Sequence, residues 1–315
     1  MRPSPETGFS EEITPFLNEN LEFKNSQESE IASRLMSQLA SEVNASLGEK
    51  VVGPDGRLKM FMFRDAFESK TKSAEDAQFV RRLKSRWAGL ETDEARHQEA
   101  ERLGLSPLTK KWSPEQLTDT ILRAHDQEAI GRSGNLAEVA ATTLLQRGLG
   151  EKFVVVRAAA YDDLKHGLDT IVVDRNTGKV ICAFDEVMGS EHDERVEEKR
   201  RRQEEAIARG GVDLDYGFTF EDGQMVKQSF KNIPIFRLRL GRVEVNAVLT
   251  ECDNNEGLGA QGEQSLAGLL DSLAEQATSY LANPALKPAM RTELEHYLAN
   301  TLPAMRTAVE QRMAA

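Results

Sequence analysis

Three short apolar runs follow one another between residues 153 and 187, and acidic residues interrupt them. Phe153–Ala160, Leu168–Val173 and Val180–Val187 are rich in Val, Ile and Phe, the composition of buried strands. Arg175-Asn176-Thr177-Gly178 between the second and third run reads as a hairpin turn. Asp162, Asp163, Asp169, Asp185 and Glu186 lie in or beside these runs. A carboxylate within an apolar strand costs free energy unless it is paired or holds a cation. The block therefore predicts a sheet whose acids are either neutralised or functional.

Alternation along a strand puts Ile181, Ala183, Asp185 and Val187 on one face, and Asp169, Ile171 and Val173 on one face of the strand before it. With the two strands paired about Asn176, Asp169 and Asp185 come to the same open end. Two carboxylates so placed suit a hard divalent cation such as Mg2+ or Mn2+. Such an ion polarises a phosphate and lowers the pKa of a bound water. The bland readings compete with this one. Asp162-Asp163 suits a cap or turn between strands, Asp169 a solvated strand entry, Asp185 a plain salt bridge, and Glu138 an exposed helix face.

Helical patterns flank the block. Ile31, Leu35, Leu39 and Val43 form a stripe over residues 26–47, and helices are predicted over 74–88, 92–103, 114–125 and 128–148. Ser113 and Pro114 supply a helix start. Leu58–Phe63 reads as strand-like. A charged helix over 192–209 is closed by Gly210-Gly211, with six bases matched by six acids. A hairpin follows (212–220 and 225–230), then a strand at 233–240, with Val243–Leu249 as another. Residues 252–263 read as a linker. Helices at 266–282, 287–300 and 303–313 finish the chain, with Pro284, Pro288 and Pro303 as breakers. The division expected is a helical region at 1–125, an α/β core at 126–250, and a linker with a helical tail at 251–315.

The order helix, three strands, helix, strand, with its acids, resembles the PD-(D/E)xK, or restriction-endonuclease-like, superfamily. The resemblance implies an αβββαβ core with a mixed sheet and hydrolysis of phosphodiester bonds, with DNA as the expected partner. It implies a first-helix acid at Glu138, a second-strand acid at Asp169, and the tripeptide at Asp185-Glu186-Val187. Asp169 and Asp185 would then be the metal ligands, with Asp163 and Glu186 as additional site residues. Val187 stands where that family has lysine. A substitute is sought on the next helix, where Lys199 flanks the inner stripe of Val196, Gln203 and Ile207. YDDLKHGLD, DRNTGKVICAFDEV and KNIPIF also resemble a group of uncharacterised bacterial proteins, which implies no activity. The alternative is a binding or scaffold protein that keeps the fold without catalysis.

Composition narrows the rest. A net charge of −12 means that attraction to nucleic acid must come from a local basic surface. No apolar run approaches the roughly 18–20 residues that span a bilayer, and mean hydropathy is −0.49. No membrane partner is expected. MRPSPETGFSEEITPF has no apolar signal-like run, and two cysteines, Cys182 and Cys252, suit reduced thiols in a cytoplasm. His125 and His166 read as isolated, so zinc is not expected. Walker, GxGxxG and GxSxG signatures are absent from the sequence.

Overall fold

The computed structural model describes residues 27–69, 71–105, 112–187, 194–254 and 257–313. The lead-in at 1–25 and the start of the charged helix at 192–193 lie outside them. The sheet is mixed, with β1 (Phe153–Arg157), β2 (Thr170–Asp174), β3 (Val180–Val187) and β6 (Ile235–Arg239) in the order β1-β2-β3-β6. β1, β2 and β3 pair antiparallel as a meander, and β6 joins β3 in parallel. A parallel neighbour needs a crossover, and α7 (Glu194–Ala208) provides it. Between α7 and β6 is inserted the hairpin β4 (Val212–Glu221) and β5 (Gln224–Ile233), a separate two-stranded sheet.

Opposite faces of the sheet carry different helices. Thr170 pairs across the ladder with Phe184 and shares a hydrogen bond with Thr142 of α5 (Ser133–Leu149). Phe184 and Glu186 therefore face α5. Ala183 and Asp185 face the other way, towards α7. α1 (Gln27–Leu47) and α8 (Arg242–Asn254) pack behind α5. α9 (Ala260–Leu281) contacts β6, α7 and α8. The α1 stripe of Ile31, Leu35, Leu39 and Val43 enters the same core as the strands, as do Leu273 and Met305 towards the C-terminus. Each such side chain contributes about 1.5–3 kcal/mol on burial. A smaller cluster (Leu90, Leu103, Leu117, Ile121) joins α3 (Asp93–Arg102) to α4 (Pro114–Ala129). α2 (Lys72–Trp87) precedes them.

Several sequence expectations are corrected. Leu58 makes one bridge to Val52, and the chain then turns into a 3-10 helix at Met60–Ala66 that buries Phe63 against Tyr216. Val243–Leu249 is the start of α8, not a strand. Val245, Val248, Leu249 and Cys252 are its buried residues, a helical period that a short apolar run conceals. Asp162 and Asp163, read as a cap or turn between strands, lie in the first turn of a short helix, α6 (Ala160–His166). Pro303 does not break its helix. α10 (Pro288–His296) continues through a π-turn at Tyr297–Thr301 into α11 (Leu302–Met313). A π-turn just before a proline relieves the bond that the missing N–H cannot make.

The β2–β3 turn is locked onto the hairpin. Gly178 has φ +68°, and the Thr219 hydroxyl donates to its carbonyl. A Cβ there would lie 2.6 Å from Phe220 O and from Thr219 Oγ1. Gly223, at φ +76°, would meet nothing within 4 Å. Gly178→Ala is expected to cost about 2–4 kcal/mol, backbone strain plus overpacking. Gly223→Ala should cost only about 1–2 kcal/mol. Urea denaturation of both variants measures the difference, and equal losses would deny the turn–hairpin contact any weight.

Candidate functional site

Five carboxyls and three cations gather where β1 and β3 end and β2 begins. Asp169 stands one residue before β2, with its N–H on Phe184 O at 2.8 Å and its O accepting from Ala158 N at 2.8 Å. Its Oδ2 accepts the Glu186 N–H at 2.8 Å. That bond ties the second-strand acid to the Asp185-Glu186 end of β3. Asp169 stands one residue before Thr170, which pairs with Phe184, so it is set beside Asp185. Glu138 enters from α5, and Asp163 from α6.

The cations are committed to particular acids. Arg57 reaches Glu138 at 3.1 Å and Asp163 at 2.9 Å. Arg157, in β1, also bonds Glu138, and its guanidinium is held by Asn135 Oδ1 and Asp55 O, each at 3.0 Å. Lys199 reaches from α7 to Asp185 Oδ1 at 2.5 Å and to Glu186 O at 3.1 Å. Gln203, one turn on, donates to Asp185 Oδ2 at 3.2 Å. Among the described residues Asp169 and Glu186 have no ion pair. Neither Glu186 oxygen receives a well-formed hydrogen bond, and the same holds for Gln203 Oε1.

Five acids against three bases leave the cluster two positive charges short when every carboxyl is ionised. Burial is the largest influence on Glu186, and nearby Glu138 adds to it, pushing its carboxyl up to about 8. Asp169 is raised well above the ordinary range by burial, then by the charge of Glu186. Asp185 is raised by burial, against which Lys199 pulls down. Glu138 ends below its ordinary value, because Arg157 and Arg57 outweigh its burial.

Of the residues named from sequence, Asp163, Asp169, Asp185, Glu186 and Glu138 share this one site, and Lys199 joins them. Glu186 and Asp185 point to opposite faces of β3, so only Asp185 is in reach of the Lys199 ammonium. Arg200, Arg201 and Arg202 pair within their own helix: Arg200 with Glu197 and Glu204, Arg201 with Glu205, and Arg202 with Glu198. The sequence reading missed Arg57 and Arg157. Arg57 follows the Gly53-Pro54-Asp55-Gly56 turn, and only the tertiary fold brings it to Glu138.

Among the described residues, one trio brings three donor atoms within 4.8 Å of one another: Asp162, His166 and Asp215. The Asp169 cluster does not converge three donors so closely. No helix among the described residues is long and apolar enough to cross a membrane. No family model, no curated protein and no solved structure matches the chain.

Two measurements test this electrostatic picture. A carboxyl whose folded value exceeds its unfolded one stabilises the fold below the unfolded pKa, and that contribution is lost as pH rises through the folded value. For Glu186 the window runs from 4.5 to about 8. In chelator, wild-type stability should fall across that window, and Glu186→Gln should flatten the slope. Thermal melts at pH 5, 7 and 8.5 decide this, and parallel slopes would clear Glu186. Separately, Arg57→Ala takes a cation from two half-buried acids, Glu138 and Asp163, and should cost about 1.5–3 kcal/mol in urea unfolding.

Proposed function

We propose that this cluster is the centre of a divalent-metal-dependent nuclease of the PD-(D/E)xK type, hydrolysing phosphodiester bonds with DNA as substrate. The observation that carries the reading is the pair of buried acids, Asp169 and Glu186, that no cationic side chain among the described residues meets in an ion pair. A divalent ion is the species whose charge and oxygen preference suit such a pair. The order α5, β1, β2, β3, α7, β6, with α6 inserted after β1 and the β4–β5 hairpin after α7, supports the same reading. So does Lys199, which brings an ammonium to Asp185 where Val187 offers none.

Asp169 would hold Mg2+ or Mn2+ together with Asp185, with Glu186 as an additional site residue close by. Magnesium takes few protein carboxylates and keeps waters and substrate phosphate as its other ligands, so three converging donors are not required. When bound, the ion supplies a more acidic water and neutralises charge on the phosphate. Lys199 would donate to a phosphate oxygen and stabilise the negative charge that builds there. Glu138, held by Arg57 and Arg157, would orient a water. Asp163 fixes Arg57 and so acts at one remove. The two cysteines are free, buried thiols, which supports a reducing, cytoplasmic setting.

A second reading is favoured by the Lys199–Asp185 pair and by Arg200, Arg201 and Arg202 of α7, which pair within their own helix. Together they suit a protein that keeps the fold for binding or scaffolding and does no chemistry. Labelled DNA and RNA incubated with Mg2+ or Mn2+ separate the two. The nuclease reading expects cleavage that chelator stops, and loss of Mn2+ binding by calorimetry in Asp185→Asn. Lys199→Ala should slow cleavage roughly a hundredfold or more, while Arg202→Ala should mainly weaken binding. A wild type that cleaves no nucleic acid with either ion would leave the scaffold reading standing.

A further inference from the structure

We infer that Asp162, His166 and Asp215 form a second cation site, for a first-row transition ion such as Zn2+, that ties hairpin β4–β5 to α6. The site is separate from the Asp169 cluster and does not rest on the nuclease reading. Asp162 and His166 are four residues apart on α6, the spacing that places two side chains on one side of a helix. Asp215 comes across from β4. His166 Nε2 lies 3.1 Å from Asp215 Oδ2, and the donors of all three residues fall within 4.8 Å of one another. Ligands bonded to zinc at about 2.0–2.1 Å in a tetrahedron stand roughly 3.3 Å apart. The His166–Asp215 distance is already near that value.

The surrounding bonds aim the ligands. Asp162 is wholly enclosed, and its two oxygens accept the Asp215 N–H at 2.7 Å and the Tyr216 N–H at 3.0 Å. Lys72 Nζ takes the other Asp215 oxygen, Oδ1, at 3.3 Å. Lys72 is itself fixed by Asp76 at 2.6 Å and by the rings of Phe67 and Tyr161, at 5.1 and 4.9 Å. Tyr216 Oη donates to Asp76 at 2.9 Å. Such outer partners orient the ligands of metal centres. Asp76 and Asp215 share the one lysine, and Asp162 has no ion pair among the described residues, so the locality accommodates further positive charge. Imidazole selects Zn2+, Co2+ or Ni2+ over Mg2+ and Ca2+. His166 and Asp215 keep 20% and 16% of their side chains exposed, which gives an ion a route in and leaves a position for water.

The competing account is a simple His166–Asp215 ion pair. Co2+ titration of the full chain, followed by visible absorption, separates them. The site predicts a ligand-field band and binding that weaken at least tenfold in His166→Gln, the low end of what loss of a metal-site partner costs. Asp169→Asn should leave the band unchanged. Zn2+ should raise the melting temperature of the wild type but not of His166→Gln. Asp215→Asn serves as the second variant if His166→Gln does not fold. No cobalt band, or an identical band and affinity in wild type and variant, would overturn the site and leave the ion pair.

Discussion

The end of the sheet is dominated by a shortage of positive charge. Glu138, Asp163, Asp169, Asp185 and Glu186 converge there, and Arg57, Arg157 and Lys199 answer only part of their charge. Desolvation makes every unbalanced carboxylate costly. The surrounding structure can be understood as what holds the acids together regardless. β1 contributes Arg157, α5 contributes Glu138, and α7 crosses over with Lys199 and Gln203. The segment before Leu58 brings Arg57, which is why a part of the chain far from the strands in sequence is bonded into the site.

Much of the strand architecture was legible. The apolar runs at 153–187 gave three strands because their composition and punctuation agreed. The strand at 233–240 became β6 because apolar and basic residues alternate along it. The phase of Lys199 on its helix could be computed from Val196, Gln203 and Ile207, since helical rotation is fixed. What periodicity cannot give is a partner from another element. Arg57 and Arg157 are ordinary arginines in sequence, and only tertiary pairing sets them on Glu138.

One misreading had a chemical consequence. With Asp162-Asp163 read only as a cap or turn, the segment to His166 has no fixed phase, and His166 reads as isolated. As a helix, α6 places Asp162 and His166 on one side and turns them to Asp215. The error at Val243–Leu249 has the same origin: a short apolar run fits either period, and burial by neighbouring helices decides it. Pro303 misled for another reason. Its disruptive effect is real, but a π-turn upstream absorbs it.

The topology also implies an order of assembly. The β1–β3 meander closes through short connections, whereas pairing Ala183 with Ile235 closes a loop of about fifty residues, entropically dearer and slower. The acids at 169, 185 and 186 are thus drawn together by local contacts first. α7 must then settle for β6 to dock, and with it comes Lys199. An intermediate with the acids gathered and the lysine absent would repel itself at neutral pH. The inserted hairpin lies within that same loop, where its own strands pair locally and shorten the effective distance the chain must close.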